Sequence, residues 1–382
     1  MSILHISGDR NFISDSKKIF ERYFPQENIF IINSKTEKLN VITNSNGMVV
    51  MNLYNKENYP KILNICLNKN VDKLVIHGMA PYMYHLIKFL KKHLSFKIFW
   101  IYWGYELYQT IGYDKGYKLT DNNFNPFNKL SYYSINKFSK IFRIIIGRYY
   151  PKYYKKLFNI VDYFCFWNRL DYELLQKYYK TNLKYRFFAY GANEKTISTN
   201  NNAPEFSDTQ SYKIMINHQA SLFGNHRTVF KIIQEIDKNN QYEKIVPLSY
   251  GSNGIKEYVL KIGRHFFKEK FVAILNLLPR EKYFDLIKTV DVAIFGQRRQ
   301  EASGNISTLL KNGVKIFLRN DNNLLQFYRE KGYIIYSIED DLKDLNSLKP
   351  LTIEEKLHNH QCSINNRIYY DEFMPSLFNI DQ

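Results

Sequence analysis

Short apolar runs alternate with longer amphipathic stretches through the first half of the chain. A short apolar or β-branched run predicts a strand, and apolar residues that recur every three or four positions predict a helix. Strands are predicted at residues 3–6, 29–32, 74–76 and 98–102, with helices at 16–23, 59–67 and 81–93 between them. This alternation predicts a parallel sheet with right-handed crossover helices.

The same pattern resumes in the second half of the chain. Predicted strands at 213–216, 245–248 and 292–295 alternate with helices at 226–238, 255–263 and 281–289. Between the halves, residues 194–211 are rich in Asn, Ser, Thr and Pro, which is typical of a linker. A length of 382 residues also favours two hydrophobic cores over one.

We therefore predict an α/β protein with two doubly wound, Rossmann-like domains. The expected divisions are an N-terminal domain at 1–193, the linker at 194–211, a C-terminal domain at 212–350 and a helical tail at 351–382. Thr352 and Glu355 have the spacing of a capping box at the start of the tail helix. Whether the tail packs back on the first domain is left open by the pattern.

Net charge and cysteine content indicate which kinds of partner the protein binds and which cellular compartment suits it. A net charge of +18 favours a polyanionic partner, which is nucleic acid, an anionic membrane surface or a phosphorylated ligand. Cys66, Cys165 and Cys362 are isolated, which argues against a disulfide scaffold and against structural zinc. No signal-peptide pattern opens the sequence, and no apolar run approaches the roughly 20 residues that span a bilayer. We expect a cytoplasmic protein that is free or peripheral to a membrane.

A basic, aromatic-rich stretch at 122–161 interrupts the alternation. It contains no acidic residue, and its Lys and Arg side chains are interleaved with Tyr and Phe. Such a stretch can lie on an anionic bilayer, track a nucleic-acid backbone with bases stacked on its rings, or form a solvated insertion. We favour the membrane surface and expect no nucleic-acid partner.

Ionisable residues follow three predicted strands of the first domain. Asp9, His77 and Glu106 each lie in a strand-end loop that also contains a glycine. Because ligands on parallel sheets bind beyond the carboxyl ends of the strands, these loops should share one rim. Each residue also has a structural alternative, since Asp9 can cap a helix, Glu106 can hydrogen-bond its own turn and His77 can close its strand.

The segment 291–318 has the pattern of a strand, a loop, a helix and a strand, with a candidate anion site in the loop. The polar residues are Arg298, Arg299 and Glu301 in the loop and Ser303, Gly304 and Asn305 at the start of the helix. Free N–H groups at a helix start favour negative charge, and Gly304 lets a ligand approach the backbone. The alternatives are a phosphate site and an ordinary crossover turn capped by Ser303.

Two further strand-end loops of the second domain carry polar residues. Asn217 and His218 follow its first predicted strand, and Ser249 and Tyr250 follow its second. The first of these loops takes the place of the phosphate-binding turn of a mononucleotide fold, although GxGxxG is absent. Together with the loop at 298–305, these residues predict a pocket for a nucleotide diphosphate.

Five segments in order along the chain carry a family resemblance. They are IHGMAPYMYHLI (76–87), FWIYWGYELY (99–108), NHQASLFGNH (217–226), VPLSYG (246–251) and RRQEASGNISTLLKNGVKIFL (298–318). As a set they resemble motifs of the TDP-N-acetylfucosamine:lipid II N-acetylfucosaminyltransferases. The resemblance implies a GT-B glycosyltransferase, with two Rossmann-like domains facing a cleft.

The resemblance also implies a reaction. It is transfer of Fuc4NAc, 4-acetamido-4,6-dideoxygalactose, from a TDP- or UDP-linked donor to a polyprenyl-diphosphate-linked or other saccharide. The expected location is the inner face of the cytoplasmic membrane, in bacterial surface polysaccharide synthesis. No DxD motif follows a predicted strand, so neither a metal ion nor another cofactor is expected.

Roles for the candidate residues follow from that resemblance. The donor diphosphate would rest on Gly304 and Asn305, with Arg298 or Arg299 neutralising charge on the leaving group. Glu301 would accept hydrogen bonds from donor hydroxyls.

On the acceptor side, the resemblance calls for a general base. Asp9 is the first candidate, with Glu106 and His77 behind it. Two alternatives from other classes remain at this point. One is a nucleic-acid-binding protein, and the other is a non-catalytic, sugar-nucleotide-binding partner of a polysaccharide-synthesising complex.

Overall fold

A computed structural model describes residues 2–10, 12–36, 38–42, 46–121, 151–194, 204–206 and 210–379. Most of the basic stretch, at 122–150, and much of the predicted linker lie outside the described residues. The described chain divides into two units. The first contains residues up to 117, from 151 to 194 and from 368 onward, and the second contains 118–121 and the described residues from 204 to 367.

The first unit is built on a parallel sheet with strand order β3-β2-β1-β4-β5-β6-β7. The strands are β1 (Ile3–Gly8), β2 (Asn28–Asn33), β3 (Met48–Met51), β4 (Lys73–His77), β5 (Lys97–Ile101), β6 (Tyr163–Cys165) and β7 (Lys184–Arg186). Its helices include Phe12–Tyr23, Tyr59–Asn68, Met83–Leu90, Tyr105–Lys115, Arg169–Tyr178 and Tyr370–Phe373. The strand order reverses between β1 and β4, so the ligand crevice of this sheet lies beyond their carboxyl ends.

The second unit repeats this plan with strand order β10-β9-β8-β11-β12-β13, again all parallel. The strands are β8 (Lys213–Ile216), β9 (Glu243–Pro247), β10 (Phe271–Ile274), β11 (Val292–Phe295), β12 (Lys315–Leu318) and β13 (Tyr336–Ser337). Its helices include His226–Ile236, Asn253–Phe267, Arg280–Lys288, Ser303–Lys311, Asn323–Glu330, Ile338–Asp341 and Ile353–Asn365. Here the order reverses between β8 and β11.

The predicted α/β class with two doubly wound sheets is confirmed. Every predicted strand is present, and the capping box at Thr352 and Glu355 forms as expected. The strands that the pattern missed include β6, β7 and β13, which are three, three and two residues long. Strands this short have too few positions for an apolar pattern to register.

Residues 368–379 return to the first unit after the helix Ile353–Asn365. Backbone hydrogen bonds join this segment to Asn193. Farther along, the ring of Phe378 packs against Phe24 and Phe99, with centroid distances of 4.9 and 4.8 Å. The segment therefore supplies part of the hydrophobic core of the first unit.

An ion pair with no solvent exposure joins a helix end to a strand in the second unit. The Lys244 ammonium donates hydrogen bonds to Asp237 Oδ2 at 2.6 Å and to Asn240 Oδ1 and the Tyr242 carbonyl, each at 2.7 Å. The Asp237 carboxylate also accepts the backbone N–H groups of Gln241 and Tyr242, at 2.8 and 3.1 Å. Without its partner each charge keeps two hydrogen bonds, but loss of Asp237 leaves backbone N–H groups unpaired, whereas loss of Lys244 leaves only oxygen acceptors.

That asymmetry predicts different costs for removing each partner. Asp237→Leu leaves a buried ammonium without a counter-charge and two backbone N–H groups without an acceptor, so we expect a loss of about 3–5 kcal/mol. Lys244→Met leaves the carboxylate with its two backbone donors, so its thermal midpoint should lie between those of Asp237→Leu and the parent. Midpoints measured side by side check this order, and a lower midpoint for Lys244→Met than for Asp237→Leu would contradict it.

Candidate active site

Asn217 joins the two loops at the crevice of the second sheet. It follows β8 in the left-handed backbone region, with φ of 58°, and its side chain is fully buried. Its Oδ1 accepts the Gly296 N–H at 2.9 Å, and its Nδ2 donates to the Gly224 carbonyl at 3.0 Å. A Cβ at Gly296 would lie 2.3 Å from that same carbonyl oxygen, so this approach requires glycine. Asn217 therefore braces the loops, and its amide faces backbone groups.

Five polar side chains from these loops meet where the strand order reverses. Gln219 Nε2 donates to Glu301 Oε1 at 2.6 Å, and Arg299 donates to both Glu301 oxygens, at 3.1 and 3.4 Å. His218 Nδ1 lies 3.3 Å from Gln297 Nε2, which donates to it. Burial lowers the pKa of His218. Glu301 raises this pKa and Arg299 lowers it, and the net shift is downward. His218 is therefore neutral near pH 7, with its proton on Nε2.

Arg299 has one donor without a hydrogen-bond partner among the described residues. Its guanidinium lies 4.3 Å over the ring of Phe223, and the side chain is 12% exposed. Nη1 is buried and has no hydrogen-bond partner among the described residues. A buried N–H of this kind gains most when it meets an oxyanion.

Arg298 is engaged elsewhere. It donates to Asp121 Oδ1 at 2.8 Å and to Asp321 Oδ2 at 2.5 Å. Arg319 donates to the other Asp121 oxygen at 2.9 Å and to Glu339 at 2.5 Å. Burial raises the pKa of Asp121, but the two arginines outweigh it and the pKa is lowered. Asp121 was not identified from the sequence, because it belongs to no motif and lies outside every strand-end loop.

The helix Ser303–Lys311 begins without a side-chain cap. Ala302 occupies the N-cap position in the left-handed region, with φ of 64°, and Ser303 is the first helical residue. The interpretation of Ser303 as a capping residue is therefore wrong. Gly304 is exposed with open space around its Cβ position, and Asn305 Oδ1 accepts the Tyr283 hydroxyl at 3.0 Å.

The loop after β9 lies beside the loop after β8. The Ala220 N–H donates to the Tyr250 carbonyl at 2.7 Å, and Ala220 pairs with Gly251 as an isolated bridge. Tyr250 is 69% exposed and Ser249 is partly buried. All three predicted donor-side loops thus lie at the carboxyl edge of the second sheet.

In the first unit, Asp9 accepts three backbone N–H groups, from Asn40, Val41 and Ile42, at 2.5, 3.0 and 2.8 Å. Burial raises the pKa of Asp9, but these hydrogen bonds outweigh it and the pKa lies below its ordinary value. The side chain is partly exposed. It is a stable carboxylate near neutral pH.

Glu106 is fully buried at the start of the helix Tyr105–Lys115. Its carboxylate accepts the backbone N–H groups of Met79 and Trp103, at 3.0 and 3.3 Å, and Trp100 Nε1 at 3.4 Å. Burial raises the pKa of Glu106 to about 7, although these hydrogen bonds lower it. Glu106 therefore ties the loop after β4 to the loop after β5.

His77 is buried at the end of β4. Its Nδ1 lies 2.6 Å from the Tyr190 hydroxyl and its Nε2 lies 2.9 Å from Nδ1 of His5. Burial lowers the pKa of His77 well below its usual range, and His5 lowers it further. Tyr190 was not singled out from the sequence, because it follows a strand that the apolar pattern missed.

In the described part of the chain, no group of three or more His, Cys, Asp or Glu side chains is placed to hold a metal ion. None of the described helices is long and apolar enough to cross a membrane.

Solved structures with the same fold are numerous, and those described below share little sequence with this chain. A glycosyltransferase from Rickettsia africae has 12% identity and a TM-score of 0.60, with 100% of this chain and 99% of that chain covered. WaaG, a glycosyltransferase involved in lipopolysaccharide biosynthesis, has 8% identity and a TM-score of 0.58, with both chains fully covered. An E. coli protein titled trehalose-6-phosphate, bound with UDP-2-fluoro glucose, has 10% identity and a TM-score of 0.56, with 99% of each chain covered. At such identities the likeness shows the fold, which is that of GT-B glycosyltransferases.

A sequence search of curated proteins finds no match. A family model does match, described as 4-alpha-L-fucosyltransferase, glycosyl transferase group 56, and it spans residues 159–350, half of the chain. This match and the fold agree with the motif resemblance and decide for an enzyme, a hexosyltransferase, over the two alternative classes. The chain belongs to the 4-alpha-L-fucosyltransferase family, glycosyl transferase group 56.

Proposed function

We propose that this glycosyltransferase moves a deoxyaminosugar resembling Fuc4NAc from a TDP- or UDP-linked donor to a polyprenyl-diphosphate-linked saccharide. In this proposal it acts without a metal ion, at the inner face of the cytoplasmic membrane. The observation that carries the proposal is the cluster of His218, Gln219, Arg299 and Glu301 at the carboxyl ends of β8 and β11. Ligands of doubly wound sheets bind at such a reversal of strand order.

The donor diphosphate is proposed to lie between Arg299 and the start of the helix Ser303–Lys311. The uncapped N–H groups of that helix and the unpartnered Nη1 of Arg299 both favour an anion. As the bond to the sugar breaks, negative charge grows on the leaving diphosphate, and these donors stabilise it. Glu301 would hold the sugar hydroxyls, because Gln219 and Arg299 already fix its carboxylate.

The partners of the two arginines support a choice between them. Arg298 already faces two carboxylates, whereas Arg299 faces one and keeps a buried donor. We therefore assign the phosphate to Arg299 and a structural role to Arg298.

On the acceptor side, Asp9 is retained as the proposed base. All three side chains hydrogen-bond to other groups, but Asp9 is partly exposed whereas Glu106 and His77 are buried. Asp9 is ionised near neutral pH, which is the form that accepts a proton from an acceptor hydroxyl, while the three hydrogen bonds that lower its pKa also lower its proton affinity.

Membrane attachment is proposed to involve the basic stretch at 122–161, of which 151–161 is described. Lys152 is exposed, and Lys156 lies over the rings of Tyr84 and Tyr153, at 5.0 and 5.5 Å. Lys155 is paired with Asp114 at 2.8 Å. Basic groups that alternate with tyrosine rings suit the headgroup region of an anionic bilayer.

The donor site is tested with TDP and UDP as probes, scored by thermal shift. A ligand that binds the native state raises the unfolding midpoint by mass action. Arg299→Gln should weaken binding of the preferred nucleotide roughly ten- to hundredfold, because a charged hydrogen bond to phosphate is lost. Measured at a fixed nucleotide concentration, its thermal shift should nearly disappear.

Arg298→Gln is the matched control. It should lower the midpoint of the free protein, since its ion pairs with Asp121 and Asp321 are lost, but keep the nucleotide-induced shift. If Arg299→Gln kept the full shift, or if Arg298→Gln lost it equally, the assignment of the phosphate to Arg299 would be wrong.

A structural role for Glu106 predicts a pH dependence of stability. Because the folded state raises the pKa of Glu106 from 4.5 to about 7, folding takes up a proton between these values. The free energy of unfolding should therefore fall as pH rises through this window, by roughly 3 kcal/mol, and be constant above it as far as this group is concerned.

Glu106→Gln removes that contribution. Urea unfolding of parent and variant at about pH 4.5 and about pH 8 should give a stability difference that shrinks at the higher pH. A difference that does not change with pH would contradict protonation of Glu106 on folding.

Membrane attachment is tested by reversing charge at Lys152, Lys155 and Lys156. Replacing all three with Glu should weaken sedimentation with phosphatidylserine vesicles more than tenfold, since each basic residue near the surface contributes about 1 kcal/mol. The control replaces three exposed lysines of the second unit, Lys238, Lys261 and Lys268, with Glu. Equal losses in both variants, or no loss in the first, would remove the proposed attachment site.

A further inference from the structure

A chain of hydrogen-bonded side chains runs beneath the crevice of the first sheet. The Tyr190 hydroxyl lies 2.6 Å from Nδ1 of His77, whose Nε2 lies 2.9 Å from Nδ1 of His5. His5 Nε2 lies 3.0 Å from Asn28 Oδ1, and Asn28 Nδ2 donates to the Phe24 carbonyl at 2.6 Å. The chain crosses from β2 through β1 and β4 to the loop after β7.

The direction of every hydrogen bond in this chain is fixed from the Asn28 end. The Phe24 carbonyl can only accept, so the amide nitrogen of Asn28 faces it and the amide oxygen faces His5. His5 must then carry its proton on Nε2. Burial lowers the pKa of His5 to about 3, so the ring is neutral and its Nδ1 can only accept.

The directions of the remaining hydrogen bonds, from His5 to Tyr190, follow in the same way. His77 must donate from Nε2 to His5, and because it is neutral, its Nδ1 accepts. Tyr190 therefore donates its only hydroxyl proton inward, and burial keeps its pKa above the usual range, so the proton stays. The hydroxyl oxygen is left as an acceptor with two lone pairs, and Trp103 Nε1 donates a long hydrogen bond of 3.5 Å to it, which leaves one lone pair for a further donor.

Tyr190 belongs to an aromatic cluster at that rim. The rings of Phe12 and Trp103 lie 6.0 Å apart, and those of Phe12 and Tyr190 lie 6.1 Å apart. Phe12 is 56% exposed, and the other two are partly buried. Phe12 opens the helix after β1 and Trp103 follows β5, so the cluster lies at the crevice beyond β1 and β4.

We propose that Phe12, Trp103 and Tyr190 form a subsite for a pyranose ring of the acceptor saccharide, and that Tyr190 accepts a hydrogen bond from one of its hydroxyl groups. The inference rests on the proposed glycosyl transfer. The C–H face of a pyranose packs on aromatic rings, while its hydroxyl groups are donors for the oxygen that Tyr190 presents. Tyr190 binds the saccharide and takes no part in proton transfer, because the hydrogen-bonded chain behind it ends at the Asn28 amide, which takes up no proton.

The subsite is tested by fluorescence, because Trp103 belongs to it. The probes are the methyl β-glycosides of N-acetylglucosamine, glucose and glucuronic acid, which represent acetylated, neutral and acidic pyranoses. At least one should change the tryptophan emission in a saturable way, and Trp103→Phe should abolish the change although Trp100 and Trp167 remain.

The hydrogen bond is tested with the probe that binds and its mono-O-methyl ethers. Tyr190→Phe should weaken binding about fivefold, as expected for one hydrogen bond. Methylation of one particular hydroxyl, which removes its proton but keeps its oxygen, should weaken binding by a similar factor in the parent and have no further effect in Tyr190→Phe. A merely structural role for Tyr190 would not produce this coupling. Tyr185→Phe, which removes a hydroxyl bonded to the Phe166 carbonyl in the same unit, is the control and should bind like the parent.

Each outcome separates this inference from the donor proposal, because TDP and UDP thermal shifts are measured on the same samples. Nucleotide binding without a saturable response to any glycoside would overturn the subsite and leave the donor site intact. Additive effects of Tyr190→Phe and every O-methyl ether would overturn the hydrogen bond. A glycoside response without nucleotide binding would support the subsite and count against the proposed donor.

Discussion

The hydrogen bonds of Asn217 to Gly224 and Gly296 are the contacts on which the second crevice depends. Parallel strands end at one edge, but their loops diverge unless something joins them across the gap. Asn217 joins two loops with one amide, donating to one backbone and accepting from the other. The absence of a side chain at Gly296 lets the backbones come close enough. His218 and Arg299 are carried to their positions by these same two loops.

The first unit meets the same requirement with a charged group. Glu106 joins the loops after β4 and β5 through backbone N–H groups, and its burial is tolerated because the proton affinity of the carboxyl rises. A neutral amide and a titrating acid thus do the same work at different places, since Asn217 joins the loops after β8 and β11 whereas Glu106 joins the loops after β4 and β5. Only the group in the first unit changes its charge near neutral pH.

The fold could be predicted from the sequence because its central strands are mostly apolar and its helices amphipathic. The site was predicted in part. Arg299 and Glu301 come together as expected from their loop, but nothing local distinguishes Arg299 from Arg298, whose partner at Asp121 is remote in sequence. The burial of His77 and the selection of Tyr190 likewise depend on tertiary contacts. A residue's position at the end of a predicted strand therefore shows which edge of the sheet it occupies. Whether its side chain holds neighbouring loops together or is free to contact a ligand depends on tertiary partners, which no local sequence pattern reveals.

The return of residues 368–379 to the first unit has a consequence for biosynthesis. Phe378 and its neighbours complete a core that begins with β1. Of the two sheets, the first is therefore synthesised earlier, but its hydrophobic core is completed later. Until then, the apolar face around Phe24 and Phe99 lacks its cover while the whole second unit is made. Vectorial synthesis thus lets the second unit complete its core before the first unit does, and the first unit exposes apolar surface during that interval.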